Sequence, residues 1–328
     1  MSVQGTWMRQ IWLSGLMILL GTVYILCRLE ESSKFGGLDI TPMEELEDLT
    51  LGMQYIENPS GADGFLAFQG QQIAYDKESH TFYVSQPVKE DELVSSFDSP
   101  IEGIRLFIEE DEYVHDIEEA MRSGHMFRIW IIGEQRYTIC GMVLTGAPVL
   151  SINSVDRLKS DYQKGEILLT DPYDEEINGL STKSSNALLK YNANSGTYAV
   201  KLTKKDYIEE KKLSFLGIGK NNTWKLYKVS VRDGSLTQAK LAADVWNVIN
   251  ADTPFVRGYE FVELIENNSY KGLYLMAPKW SRSMLGLTEQ DCIIKSEALT
   301  LEKTAEIFTD ISDKNLSRYY MFLQITYA

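Results

Sequence analysis

A run of apolar residues without a single charge lies close to the N-terminus of the chain. It extends from Ile11 to Cys27 and reads IWLSGLMILLGTVYILC. An α-helix rises about 1.5 Å per residue, so roughly 17–25 such residues cross the core of a bilayer. Trp7 and Trp12 at one end and Tyr24 near the other suit the membrane–water interfaces. The run therefore predicts a transmembrane anchor.

A cleaved signal peptide is the alternative for this run. The residues Tyr24 to Cys27 lack the small side chains that a cleavage site needs, which favours an uncleaved anchor. Arg9 precedes the run, whereas Arg28 and Lys34 follow it, so the count of positive charges does not decide the orientation. The short N-terminal tail is typical of a signal-anchor. The predicted localisation is the cell membrane, with a single pass and an extracytoplasmic body.

Charge and cysteine content exclude several functions for that body. The formal net charge is −15, which opposes nonspecific binding to nucleic acid or to anionic lipid. Cys27, Cys140 and Cys292 fit no C-x-x-C spacing, so a zinc site is not expected. A Cys140–Cys292 disulfide in an oxidising compartment and two buried apolar thiols both remain open.

Composition and periodicity divide the chain into four parts. They are a transmembrane anchor at 1–28, a polar acidic stalk at 29–60, a β-rich domain at 61–177 and a second, α+β domain at 178–328. In the β-rich domain, strand-like runs 72–75 and 81–84 flank a polar turn and predict a hairpin. Runs 104–108, 126–132, 137–144, 148–152 and 166–170 predict further strands, and 113–122 predicts a helix.

The second domain begins at a predicted linker, 178–185. Strands are predicted at 198–203, 255–265 and 270–276, and helices at 206–212, 235–250, 301–311 and 315–328. Residues 190–240 are rich in lysine, with few opposing carboxylates. Such a segment can hold phosphate groups or an acidic partner, or it can form a solvated face that balances the acidic remainder of the chain.

Motifs of common enzymes do not fit this sequence. Leu216 to Asn221 (LGIGKN) lacks the first Gly and the Ser or Thr of a P-loop. The chain also has no G-x-G-x-x-G, H-R-D, D-F-G, G-x-S-x-G or H-E-x-x-H motif. We therefore predict neither catalytic residues nor metal ligands.

Five segments nevertheless follow one another in an order that a known family shares. They are TGAPVLSI from Thr145, NSGTYAVKL from Asn194, LGIGKNNTWKL from Leu216, SLTQAKLAADVW from Ser235 and FVELIENNSYKGLYLM from Phe261. In this order and spacing they resemble the spore-coat CotH kinase-like family. The family's members are atypical protein kinases, or relatives of kinases, that phosphorylate secreted or spore-coat proteins.

The resemblance implies phosphoryl transfer from ATP with Mg²⁺ or Mn²⁺ to a secreted or coat protein. It implies that Lys201, which aligns with the last lysine of the family strand, and Lys295 contact phosphate. It implies that Glu263 orients one of these lysines. The alternative readings are exposed strand lysines and a structural carboxylate.

The sequence also departs from the family. Ala277 stands where the family has an acidic residue, and the chain ends at Ala328, before the family's Asn- and Asp-bearing metal segment. We therefore expect an α+β protein with an N-terminal transmembrane helix, a β-rich domain and an incomplete kinase-like domain, inactive as a kinase. The alternative function is a non-enzymatic binding or scaffold protein of the cell envelope or spore coat. Nucleic acid is not expected as a partner.

Overall fold

The fold was analysed in a computed structural model. It describes residues 38–57, 59, 61–68, 71–86, 97–174, 179–229, 238, 240–241, 243–245, 248, 258–279, 291–296 and 318–323. β-strands dominate this part of the chain and form a seven-stranded sheet followed by a closed seven-stranded barrel. The predictions for Ile11 to Cys27 and for 301–311, and residues 29–37 of the predicted stalk, lie outside the described residues. Residues 38–57 of the predicted stalk are described, and they include two strands of the seven-stranded sheet, Asp39–Thr41 and Gln54–Tyr55.

The N-terminal half forms the open sheet. Its strands lie in the order β1-β8-β9-β10-β6-β5, and β2 pairs with β10. The strand bounds are β1 Asp39–Thr41, β2 Gln54–Tyr55, β5 Ala74–Asp76, β6 Thr81–Ser85, β8 Arg105–Glu109, β9 Met126–Ile132 and β10 Arg136–Thr145. A small three-stranded sheet contains β3 Ala67–Phe68, β4 Gln71–Gln72 and β7 Phe97–Asp98.

Short helices accompany this sheet. The α-helices are α1 Met43–Leu49 and α2 Ile117–Ser123, and the 3-10 helices are Ala62–Gly64 and Glu112–His115. Asp116 caps α2 by accepting a hydrogen bond from Glu119 N at 2.9 Å. One face of the sheet packs in a large core that includes Phe82, Ile129 and Cys140. Cys140 is a free, buried cysteine.

The barrel follows directly after β10. Its strands lie in the order β11-β12-β13-β14-β17-β19-β18, and parallel pairing of β11 with β18 closes it. The bounds are β11 Val149–Ser154, β12 Gln163–Asp174, β13 Gly179–Asn192, β14 Thr197–Thr203, β17 Thr223–Lys228, β18 Glu260–Glu266 and β19 Ser269–Pro278. Two-stranded sheets contain β15 Leu213–Ser214 with β16 Lys220–Asn221, and β20 Asp291–Ser296 with β21 Arg318–Leu323.

Alternating residues of the barrel strands fill a single core. Val200 and Leu202 of β14, Trp224 of β17 and Leu264 of β18 are each 0% exposed. Successive side chains of a strand point to opposite faces of the sheet. The residues that flank these buried positions in each strand therefore point away from the core. The barrel interior is therefore packed with side chains.

Hydrogen bonds join the sheet to the barrel. Lys77 N in the β5–β6 turn donates to Asn268 O in the β18–β19 turn at 2.9 Å. Tyr270 N donates to Asp76 Oδ1 at 3.2 Å. Ser85 Oγ lies 2.9 Å from Ala147 O and 3.1 Å from Thr170 O. The two β structures thus contact each other along β5, β6, β12 and β19.

The predicted α+β architecture with a kinase-like second domain is wrong. Residues assigned to that domain form strands β13, β14, β17, β18 and β19 of the barrel, because their apolar side chains alternate with a period of two along each strand. The predicted domain boundary at 178 lies in the connection between β12 and β13, two paired strands. The predicted linker is part of β13, whose Ser181 and Ser185 are buried polar residues that hide the strand pattern.

Two predicted helices are also wrong. At 206–212 the chain turns, because the Asp206 carboxylate accepts hydrogen bonds from Ile208 N at 3.0 Å and Glu209 N at 3.1 Å. In the predicted C-terminal helix, residues 318–323 are strand β21, whose Tyr and Phe residues favour extended backbone. The described positions between 238 and 248 are helical, as the spacing predicts.

The predictions of a transmembrane signal-anchor and of a single-pass cell-membrane localisation also need correction. Within the described residues, no helix combines the length and the apolar character that crossing a membrane requires. The helices α1 and α2 have seven residues each, about 10 Å of rise, against a hydrocarbon core of about 30 Å. The run from Ile11 to Cys27 itself lies outside the described residues.

Candidate functional site

Lys201 is the first of the predicted site residues. It lies on β14 between the buried Val200 and Leu202, so its side chain points out of the barrel. Its Nζ is 2.9 Å from Glu210 Oε1. The hydrogen bond from Lys201 holds the pKa of Glu210 below its usual value.

Glu263 lies on β18 and takes part in the contact between the barrel and the sheet. Tyr270 OH donates to Glu263 Oε2 at 2.7 Å. The Tyr270 ring stacks on the ring of Tyr83 from β6, with centroids 4.5 Å apart and an angle of 12°. Burial raises the pKa of Glu263. These contacts make Glu263 a structural carboxylate at the junction.

The structure does not bring Lys201 and Glu263 together. Glu263 lies opposite Leu273, near the middle of β19. Lys201 lies opposite Thr223, and the carbonyl of Thr223 accepts a hydrogen bond from Lys279 N, just after the end of β19. At about 3.3 Å per residue, the distance along the chain from Leu273 to Lys279 is about 20 Å. Lys295 lies on β20 in a separate sheet, opposite Phe322.

These positions do not fit a common phosphate site. In addition, the part of the chain that the structure describes contains no group of three or more His, Cys, Asp or Glu side chains able to hold a metal ion. ATP and Mg²⁺ or Mn²⁺ thus stay predictions from the resemblance alone.

A different cluster does surround Lys201. It lies on the outer side of β12, β13, β14 and β17, and we call it the lysine face. The strand register puts Lys190, Ala199 and Lys225 in one row across the sheet. It puts Lys164, Leu188 and Lys201 in the next row.

The lysines on this face are staggered. Lysines of one row lie two strands apart, about 10 Å, and the rows lie two residues apart, about 7 Å. Each lysine has an uncharged residue directly opposite it on the neighbouring strand, either Ala199 or Leu188. Because like charges directly opposite one another destabilise a sheet, this stagger lets four cations share a small area.

Tyrosine rings support two of these lysines. Lys190 Nζ lies 5.0 Å from the ring centroid of Tyr162, and Lys164 Nζ lies 5.1 Å from that of Tyr207. Such contacts contribute about 0.5–1 kcal/mol at exposed sites. Among the described residues, no carboxylate forms a salt bridge with Lys164 or Lys190. Both ammonium groups can therefore bind an external anion.

Other lysines of the basic segment are engaged within the chain. Lys204 pairs with Glu209. Lys240 Nζ lies 2.9 Å from Glu260 Oε1, and Lys211 Nζ donates to Ser184 O at 3.2 Å. The number of lysines in a segment therefore does not show which of them are available to an external ligand. Two features identify the lysines of the lysine face. Each lysine alternates with buried residues along its strand, and the strand register brings together lysines from distant segments of the chain.

Comparisons with protein-family models, with curated proteins and with solved structures found no match. The likeness to the CotH kinase-like family thus rests on the five sequence segments alone. No kinase or spore-coat assignment draws support from these comparisons.

Proposed function

We propose that this protein is a non-enzymatic binding protein that recognises an extended acidic peptide on the lysine face. The observation that carries the proposal is the pair Lys164 and Lys190. Their ammonium groups rest on tyrosine rings, and among the described residues neither has a carboxylate partner. Enzymatic phosphoryl transfer finds no comparable support, because Lys201 and Glu263 lie in different parts of the barrel.

An extended peptide suits the spacing of the face. In such a peptide, every second side chain points the same way, about 7 Å from the previous one. This matches the distance between the two rows of lysines. Carboxylates at alternate positions can therefore reach Lys164 and Lys190 in turn. Tyr162, which is 44% exposed, offers an apolar surface beside them.

The net charge of the whole chain favours a localised interaction. With a formal charge of −15, most of the protein repels an acidic peptide. The lysine face then orients the encounter, since complementary charges determine specificity and association rate more than affinity. Because the contacts are exposed, added salt should weaken binding strongly.

The test is fluorescence anisotropy with a labelled twelve-residue peptide of alternating Glu and Ser. We expect saturable binding at low salt and at least a tenfold loss of affinity in the double variant Lys164→Glu, Lys190→Glu. The matched control is Lys77→Glu with Lys220→Glu, which has the same net charge and alters exposed lysines elsewhere. An equal loss in both double variants, or no binding by the unmodified protein, would refute the proposal.

A companion measurement addresses the nucleotide predicted from the resemblance. Thermal unfolding with ATP and Mg²⁺ should show no shift, since a ligand stabilises only a protein that binds it. A shift that grows with ATP concentration and is lost in Lys201→Ala would instead support nucleotide binding at Lys201.

A further inference from the structure

The outer edge of β10 has a gap in its pairing. On one side β10 pairs with β9 from Tyr137 to Val143. On the other side β2 pairs only with Arg136 and Tyr137, and β6 pairs only from Gly141 onwards. Between these two partners, no strand of the described residues pairs with Thr138 to Cys140 on this outer side. Directly after β2, Ile56 N–H donates to Tyr137 O at 2.9 Å.

A cleft of about 450 Å³ opens at the gap. Its walls are mainly apolar and come from four separate parts of the chain, namely Ile56, Phe65, Ile104 and Ile131. Arg136 and Thr138 of β10 supply polar groups to the same cleft. Concave, mostly apolar pockets of 300–1,000 Å³ with a few polar groups are typical of sites for small molecules.

Neither Arg136 nor Thr138 has a salt bridge or a standard hydrogen bond from its side chain within the part of the chain that the structure describes. Thr138 is 4% exposed, and among the described residues its Oγ1 has no hydrogen-bond partner at standard distances, although it lies close enough to the Cys140 thiol to lower the pKa of that thiol. Burying a hydroxyl without a partner is unfavourable, so such groups are uncommon and mark sites where a partner is missing. Arg136 is exposed, and it forms no salt bridge with the carboxylates of the described residues, although the chain is strongly acidic.

We propose that this cleft binds a small carboxylic acid with a hydrocarbon body. Arginine presents a planar fork of N–H donors that matches a carboxylate, and Arg136 is the cation of the cleft. The apolar walls cover the hydrocarbon part, and the Thr138 hydroxyl supplies a further hydrogen bond. At about 30 Å³ per water-sized group, the cleft holds up to about 15 heavy atoms. A monocarboxylate of about eight to twelve carbons fits that size.

Isothermal titration calorimetry with octanoate tests the proposal, and octanamide serves as the uncharged ligand of the same shape. We expect one octanoate per chain and at least tenfold weaker binding of octanamide. Arg136→Gln should weaken octanoate at least tenfold and leave octanamide unchanged. The control Arg105→Gln alters another exposed arginine of this sheet, one that lies over the ring of Phe107, and should change neither affinity.

Thr138→Val separates a binding role from a structural one. Removing the unpaired hydroxyl at constant shape should raise the melting temperature of the ligand-free protein and weaken octanoate binding. Arg136→Lys, which keeps the charge but not the fork, should bind with intermediate affinity. Several octanoates per chain, equal affinity in Arg136→Gln, or no heat at millimolar octanoate would each overturn the proposal.

Discussion

Replacing Asp76 by alanine should weaken the junction between the sheet and the barrel. The Asp76 side chain is at the end of β5, and the residue is only 6% exposed. Its carboxylate accepts a hydrogen bond from Ser79 Oγ at 2.6 Å within the β5–β6 turn. It also accepts from Tyr270 N at 3.2 Å, across the junction. Two weaker bonds come from the backbone N–H groups of Glu78 and Ser79, both at 3.3 Å.

The size of the effect follows from these contacts. A hydrogen bond to a charged acceptor contributes about 1.5–3 kcal/mol. Counting only the Ser79 hydroxyl and Tyr270 N at the lower value gives a loss of about 3 kcal/mol for Asp76→Ala. Asp76→Asn keeps the shape and one acceptor, and should lose about half as much. The control Glu78→Ala removes an exposed charge from the same turn and should change stability by less than about 0.5 kcal/mol.

The effect should also depend on pH. Burial acts to raise the pKa of Asp76, but the hydrogen bonds from Ser79, Tyr270 and Glu78 outweigh it and hold the pKa below its ordinary value of 3.8. A group whose pKa is lower in the folded state contributes stability at pH values above its pKa in the unfolded chain. This stability is lost as the pH falls through the pKa of the folded state. The difference between the wild type and Asp76→Ala should therefore be largest at neutral pH and shrink below pH 3.8.

Urea unfolding followed by tryptophan fluorescence measures these differences at neutral and acidic pH. Near-native stability of Asp76→Ala at neutral pH would show that the carboxylate does not hold the junction. A loss of equal size at both pH values would show that the ionised form has no special role.

Three further outcomes are expected. Gly165→Ala should cost about 2 kcal/mol of stability in urea unfolding, because the added Cβ would lie 2.4 Å from Asn153 O. The control Gly64→Ala should leave stability unchanged, because a Cβ at this position has no atom within 4 Å. Tyr198→Phe should cost about 2 kcal/mol, since Tyr198 OH donates to Glu266 Oε2 at 2.8 Å, and Tyr162→Phe is its exposed control. In a Cys27→Ser, Cys292→Ser background, Cys140 should react with a thiol reagent only on unfolding, because burial raises its pKa to about 11; reaction within seconds in the native protein would contradict this.

Much of the open sheet could be predicted from local pattern. The hairpin of β5 and β6 and the pair β9 and β10 are confirmed, because each has an alternating or continuous apolar run next to a turn. The barrel could not be recognised in the same way. Its closure depends on parallel pairing of β11 with β18, and nothing in either run identifies the other as its partner.

The lysine face illustrates the same limit for the candidate site. Lys164, Lys190 and Lys201 belong to three strands, and only the register places them in adjacent rows. Lys201 was named from the sequence, but as part of a phosphate site with Glu263. The sequence could show that Lys201 alternates with buried residues, whereas it could not show that Glu210 pairs with it and that Glu263 lies elsewhere.

Closure of the barrel between β11 and β18 also has a consequence for synthesis of the protein. Val149 pairs with Glu263, which is 114 positions later in the chain (263 − 149). At about 5–20 residues per second, a ribosome needs roughly 6–23 seconds to make that interval. During this time the strands of the open sheet are complete, while the edge of β11 that will receive β18 has no partner. An unpaired edge attracts other strands, so the nascent chain passes through a period in which premature termination or a stalled ribosome would expose it to aggregation.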